Sequence, residues 1–499
     1  MRQLTSLDAQ FLAVEAPRQP AHVAGLAILD ASTAPGGALT VASVEAMITA
    51  RLPLLPPLRW RLVEVPFDLD HPYWVDDDDF DLDFHVREVA LPSPGTDEQL
   101  ADQIARLHAR PLDRARPLWE LYVISGLASG HVGVYIKVHH ALIDGVSGAE
   151  LTGLLLDVTP EVARLDVPDR AAAGRTPGSI ELALRAALAV PRYPLRVARA
   201  LPAALPYLDE TMARAVPGLS ALGRLAGRVH SRVTGTPREH VRSGLTAPPT
   251  PFSGRLSQHR RFAFGSLPLS RLKAVKAAYG VTLNDVVVTM CAGAVRRWLV
   301  AHEALPATPL VAQIPISVRT SSQAGTYGNR ILLLGAALHT EIADPVQRLH
   351  ETAADLSEMK DRHKALPAQL LQDVNDFIPP AVFARASRTA LGLTSRLSRP
   401  LWNLVVSNVP GPQIPLYLAG ARMVANYPVS VITDGMGLNI TVMSYDGSLD
   451  IGVIADRDQV PDVWDLVGYL DDALTELEER APGLVSIDLR DPAPAGSAG

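Results

Sequence analysis

The residues best suited to chemistry lie together in the string His139-His140-Ala-Leu-Ile-Asp144-Gly145. A neutral imidazole, with an ordinary pKa of about 6.5, is the commonest side chain for removing a proton near neutral pH, and an apolar wall favours its uncharged, basic form. From His131 to His140 the residues alternate as in a half-buried strand, which sets Val132, Val134, Ile136, Val138 and His140 on one face and Tyr135, Lys137 and His139 on the other. His140, on the apolar face, is the candidate general base, and His139 supports it. Asp144-Gly145 reads as the turn after the strand, and Gly145, lacking a Cβ, lets backbone or substrate approach the imidazole. Ser147 and Glu150 have capping-box spacing, so a helix is expected from Ser147 with Leu151, Leu154 and Leu155 inward. The plainer reading of a His-His pair is a strand end satisfied by hydrogen bonds.

The whole string shifts that balance, because it resembles the HHxxxDG signature of the CoA-dependent acyltransferase superfamily. Other segments narrow the resemblance. Pro111-Leu-Asp-Arg-Ala-Arg-Pro-Leu-Trp-Glu120, Asn284-Asp-Val-Val287, Pro315-Ile-Ser-Val-Arg319 with Gly328-Asn329, and Ser407-Asn-Val-Pro-Gly-Pro412 resemble, in order, motifs of the bacterial wax ester synthase/acyl-CoA:diacylglycerol acyltransferase (WS/DGAT) family. The resemblance covers nearly the whole chain. It implies an α/β fold of two chloramphenicol-acetyltransferase-like domains joined by a helical connector, with an active-site tunnel at their interface. It also implies an acyl-CoA-dependent O-acyltransferase that esterifies a lipid alcohol, with diacylglycerol to triacylglycerol favoured and fatty alcohol to wax ester second.

In such a reaction His140 takes the hydroxyl proton of the alcohol as its oxygen attacks the acyl-CoA thioester, which requires neither a metal nor an acyl-enzyme. No bound cofactor is expected, acyl-CoA being the donor substrate. In the superfamily the motif aspartate is mainly structural, so the resemblance makes Asp144 a brace for the histidine loop, paired with an arginine that spacing does not identify. Asn284 is a candidate oxyanion donor, with ordinary helix capping as the alternative. Arg319, Ser407 and Asn408 are candidate CoA contacts. A structural ion pair is the alternative for Arg319, and a rigid turn shaping the interface is the alternative for Ser407 to Pro412. Trp119 is expected in the core despite its place in a motif. Two further readings stay open: a condensation-type acyltransferase using the same histidine, and a non-catalytic lipid-droplet binding protein. The motifs outside the histidine string count against the first, and the intact string counts against the second.

The elements that must position these residues follow from pattern. A short helix is expected from Leu7 to Val14, a strand from His22 to Leu29, a helix capped by Thr40 to Arg51, and strands near 59–65, 73–75 and 85–89. The acidic run Asp76 to Asp79 reads as a solvated loop rather than a metal site. A helix over 97–109 leads to a strand from Trp119 to Ile124 and then to the histidine strand, an α/β half complete by about Val158. In the second half, strands are expected near 260–264, 310–316, 331–338, 404–407, 438–444 and 449–454, the last two joined by Asp446-Gly447. Helices are expected from Ser270 to Gly280, from Thr282 onward, from Asp344-Pro345 to Arg362, and over 462–480. Cys291, inside the second of these, reads as a small buried hydrophobe.

At 499 residues the chain exceeds one ordinary core. The expected division is 1–158, a connector over 159–251, a second domain over 252–490 and a disordered tail over 491–499. A single cysteine rules out an internal disulfide and fits a reducing compartment. No basic-then-apolar start precedes Ser6, and no apolar run reaches the ~18 residues of a membrane span, so a cytoplasmic protein is expected, resting at most on the inner membrane face or a lipid inclusion. A net charge of −7 argues against general nucleic-acid binding. Its distribution is uneven: Arg170 to Arg242 holds twelve Arg against Glu181, Asp209, Glu210 and Glu239, a balance of +8 that leaves −15 elsewhere. Helical pieces are expected at 180–190 and 194–200, broken by prolines. This stretch reads either as a solvated connector or as a basic surface for membrane contact.

Overall fold

A computed structural model describes residues 1–142, 155–162, 178–189, 247–317, 331–364 and 400–483. The strands are β1 (Arg2–Gln3), β2 (His22–Asp30), β3 (Trp60–Val63), β4 (Tyr73–Asp76), β5 (Val86–Ala90), β6 (Trp119–Ser125), β7 (Val132–His139), β8 (Arg260–Pro268), β9 (Leu310–Ser317), β10 (Ile331–Leu338), β11 (Leu404–Val409), β12 (Tyr417–Leu418), β13 (Ala421–Val429), β14 (Leu438–Tyr445) and β15 (Ser448–Asp456). The principal helices are α1 (Ser6–Val14), α2 (Val41–Arg51), α3 (Asp97–His108), α4 (Ser179–Ala189), α5 (Leu269–Tyr279), α6 (Leu283–Ala301), α7 (Pro345–Lys364) and α8 (Val463–Glu479). The helix expected from Ser147, the 194–200 piece and the 491–499 tail lie outside the described residues.

Two six-stranded mixed sheets carry the architecture, in the orders β12-β13-β2-β7-β6-β5 and β10-β9-β11-β14-β15-β8, beside a small β1-β4-β3 sheet. The second sheet is covered by α6, α7 and α8. Residues Asp285 to Val295 of α6 are buried without a break, the polar Asp285 and Thr289 included, so the helix is enclosed on every side over this stretch. Thr282 and Asp285 form its capping box, at the helix entry that the sequence places there. α5 begins at Leu269, one residue ahead of the expected cap: Pro268 occupies the N-cap position, where its fixed φ suits a helix entry, and Ser270 is inside the helix. Asp446 and Gly447 have φ of 39° and 85°, the doubly positive geometry that matches strand twist in a two-residue hairpin between β14 and β15. No single described helix is long and apolar enough to cross a membrane.

The first sheet departs from the expected division. It is not complete by Val158, because β12 and β13 leave the second half of the sequence and extend its edge, β13 running antiparallel to β2 from Arg422 opposite Asp30 to Val429 opposite Ala24. The two halves are thereby interlocked. β13 also crosses β15 so closely that a Cβ on Gly452 would lie 1.8 Å from the Pro428 carbonyl oxygen, which only glycine avoids. At the same crossing the buried Asp450 carboxylate accepts hydrogen bonds from the Asn426 N–H (2.7 Å) and the Ser266 hydroxyl (2.7 Å). Burial pushes its pKa up to about 6, against the opposing pull of those two bonds. On the first half, the buried Arg51 at the end of α2 pairs with Asp157 at 2.5 Å, and Asp157 exchanges backbone hydrogen bonds with Tyr417.

Candidate active site

β7 lies between β2 and β6, and both of its faces are covered. Val134 and Val138 enter the cluster that includes Leu29, Trp119 and Leu121. Tyr135 enters a second cluster beneath α3. The strand is therefore not half-buried as its alternation suggests: Tyr135, Lys137 and His139 on the more polar face are at most 1% exposed. Burying them demands hydrogen-bond partners. Lys137 Nζ donates to the Leu107 and Arg110 carbonyls (3.1 and 3.0 Å) and pairs with Glu120 at 3.1 Å. Its pKa is lowered by burial despite Glu120. Tyr135 bonds His108 Nδ1 at 2.8 Å, while His108 Nε2 meets the Ser430 carbonyl at 3.0 Å, across to the chain that follows β13. His22, opposite His139 in the β2 register, donates through Nε2 to the His108 carbonyl at 2.7 Å. Burial lowers His108 to about 3 and holds His22 well below its ordinary value, so both stay neutral.

At the strand's end the two histidines are held differently. The His139 N–H donates to the Leu118 carbonyl, its own carbonyl accepts from Leu142 N–H, and its Nδ1 accepts from the Ala141 N–H at 3.0 Å. That last bond leaves the ring proton on Nε2, which faces Glu15 Oε1 at 3.6 Å, an electrostatic contact rather than a hydrogen bond. His139 thus clamps the turn. His140 is one residue past β7, with its N–H bonded to the Ala21 carbonyl at 2.9 Å and its ring stacked on Phe11 of α1, centroids 3.8 Å apart and planes at 12°. Phe11 is the apolar wall on which the strand pattern places this imidazole. His140 is partly exposed, whereas His139 is buried.

Glu15, which follows α1, is the functional candidate that sequence reading missed. Its Oε1 accepts the Ala21 N–H at 3.2 Å, and its Oε2 accepts Arg114 Nε and Nη2 at 3.1 and 2.7 Å. Arg114 also donates to the Leu12 carbonyl at 2.9 Å. Burial would raise the Glu15 pKa, but His139 and Arg114 outweigh it and bring it to about 2. One carboxylate thus ties α1, the start of β2, the histidine turn and the Pro111–Glu120 motif. Arg114 stood inside a recognised motif, but nothing near Glu15 in the sequence announces a partner 124 positions away.

On the second half, the capping box of α6 is made by Thr282 and Asp285, so Asn284 is not the cap. Its Oδ1 accepts from Asn408 Nδ2 at 3.3 Å, which joins the candidate oxyanion donor to a candidate CoA contact. Ser407 and Asn408 lie on β11, in register with Thr441 and Val442 of β14. Asp144, Gly145 and Arg319 lie outside the described residues. Trp119 is 1% exposed and donates to the Leu58 carbonyl, as expected of a core residue. Cys291 is buried, and desolvation pushes its thiol up to about 12. The acidic run is not wholly solvated: Asp77 turns inward, accepts the Asp79 N–H and faces Arg61 at 3.7 Å.

The catalytic-domain model of wax ester synthase/diacylglycerol acyltransferase matches residues 4–287, and the C-terminal domain model of WS/DGAT matches 327–478. The chain belongs to the WS/DGAT family. It is 38% identical over 480 residues to a putative diacylglycerol O-acyltransferase of Mycobacterium tuberculosis, covering 96% of this chain and 90% of the relative. Identity to the O-acyltransferase WSD of Acinetobacter baylyi is 33% over 482 residues, covering 96% and 97%. The structure of the WS/DGAT of Marinobacter aquaeolei superposes with a TM-score of 0.67 at 30% identity, over 96% of this chain and 100% of that one. A starter condensation domain of rhizomide synthetase matches with a TM-score of 0.54 at 14% identity, over 98% and 97%, a likeness of fold alone. As a WS/DGAT member the chain is an acyltransferase with the expected α/β fold.

Proposed function

We propose that this WS/DGAT protein transfers the acyl group of a long-chain acyl-CoA to the hydroxyl of a lipid alcohol, diacylglycerol first and fatty alcohol second. The observation that carries the reading is the presentation of His140: partly exposed, stacked on Phe11, at a turn that His139 and Glu15 hold from behind. The imidazole takes the proton of the acceptor O–H as the alcohol oxygen bonds to the thioester carbonyl carbon. The resulting tetrahedral oxyanion collapses, the C–S bond breaks, and the CoA thiolate takes the proton back from His140. No acyl-enzyme intervenes, because the base activates the acceptor itself.

The oxyanion requires a positioned donor. The bond from Asn408 to Asn284 Oδ1 supports this role for Asn284, since it fixes the amide with its NH₂ turned away from Asn408. Asp144 is assigned to bracing the histidine loop, Gly145 to leaving it room, and Arg319 and Ser407 to the CoA moiety. The acceptor resides in lipid, so the enzyme works peripherally at a membrane or lipid-inclusion surface. Incubating the protein with palmitoyl-CoA and either diacylglycerol, hexadecanol or no acceptor, with CoA release and lipid products resolved, tests the proposal. Triacylglycerol exceeding wax ester is the expected result, and absence of CoA release with every acceptor sinks it.

A further inference from the structure

Helix α4 presents its apolar residues the wrong way round for a soluble surface. Leu182 and Ala186 are buried and the helix packs on the turn over 66–68, while Ile180, Leu184 and Leu188 on the opposite side are 77%, 62% and 74% exposed. Their spacing of four puts them in one stripe. On the turn itself Phe67 is 86% exposed and held at a φ of 62°, a left-handed conformation that a bulky side chain adopts only when its surroundings impose it. Four large apolar side chains thus stand in water on two packed elements, an arrangement that marks an interaction surface.

We propose that Phe67 and the outer stripe of α4 insert into the interface of an anionic lipid surface and dock the enzyme there. Charge singles out lipid as the occupant: α4 falls inside the segment from Arg170 to Arg242, whose balance is +8 in a chain of net −7. An anionic surface repels the remainder and attracts this segment, whose sequence mixes apolar and basic residues in the manner of segments that lie in a bilayer interface. The surface also connects to the site. The 66–68 turn joins β3 to β4, Ser6 at the start of α1 bonds His71 in that connection at 3.2 Å, and α1 carries Phe11 beneath His140. The inference rests on the lipid-alcohol reading above.

Flotation with vesicles of phosphatidylcholine and phosphatidylglycerol (7:3), at low and high salt, tests it. The wild type floats with these vesicles and less well at high salt. Replacing Phe67 and Leu184 together by Asp lowers the bound-to-free ratio at least about tenfold, the loss expected when one fully buried Leu or Phe is forfeited. The same variant keeps its turnover on a soluble short-chain alcohol, and Val424→Asp, at an exposed apolar residue elsewhere, floats like the wild type. Should the double variant not fold, Leu188→Asp gives the same readout. Equal flotation of wild type and variant overturns the docking surface, as does a wild-type dimer that the substitutions dissociate, which would assign the stripe to a second copy. Absence of acyl transfer to any alcohol, soluble ones included, would instead remove the functional reading beneath it.

Discussion

Glu15→Gln removes one charge without changing shape, and its consequences can be worked from the contacts. Glu15 falls from an ordinary 4.5 to about 2, a shift corresponding to about 3 kcal/mol of preference for the ionised form in the folded protein. Arg114 is 38% exposed and His139 is 3.6 Å away, so screening and distance discount that figure to about 1–3 kcal/mol. A depressed carboxylate pKa stabilises fully above the unfolded value and loses its effect as pH falls through the folded one. The difference in melting temperature between wild type and variant is therefore expected to be constant above about pH 5 and to shrink towards pH 2. Loosening of the His139 clamp misplaces His140, and turnover falls about 10–10²-fold. Thermal melts from pH 3 to 8 with steady-state CoA release are the assay. A variant equal to wild type in both melting temperature at pH 7 and turnover refutes the claim that Glu15 holds the histidine turn.

Asp450, with its pKa raised to about 6, keeps its proton in the folded state over a range where the unfolded chain has lost it. Stability should fall by up to about 3 kcal/mol as pH rises from about 4 to 6, and Asp450→Asn should remove that slope in a melting-temperature scan. Asp157→Ala removes the carboxylate that pairs with the buried Arg51 and should cost about 3–5 kcal/mol in urea unfolding, whereas a loss below 1 kcal/mol contradicts a buried pair. Asn284→Asp keeps the acceptor for Asn408 but removes the amide donors, so kcat should fall about 10²–10³-fold at unchanged melting temperature. Undiminished kcat removes Asn284 from the oxyanion site.

What could be read from sequence was local. The Thr282 entry to α6, the Asp446-Gly447 hairpin, the Asp344-Pro345 entry to α7 and the strand into His139 each depend on residues within a few positions, and each is where its pattern puts it. The histidine string and its companion motifs likewise pointed to the family. Long-range pairing was not legible. β13 alternates buried and exposed residues from Ala421 to Ala425, but its partner β2 lies about 400 positions earlier, and Pro428 argues against a strand by its missing N–H. The second face of β7 was misread for a related reason. Lys137, His139 and Tyr135 look solvent-directed until carbonyls at the end of α3, Glu120 and His108 satisfy them in the interior. Glu15 became visible only when α1, β2 and the 111–120 segment met.

Which histidine carries the proton decides the chemistry of the site. CoA release from palmitoyl-CoA with a soluble alcohol, measured for His140→Ala and His139→Ala beside their melting temperatures, addresses this directly. His140→Ala is expected to lose about 10²–10⁴-fold in turnover with near-native stability. His139→Ala, by breaking the clamp on the turn, should lose more in stability than in chemistry. Retained turnover in His140→Ala, or a larger kinetic loss in His139→Ala at equal melting temperature, would contradict the assignment of His140 as the base.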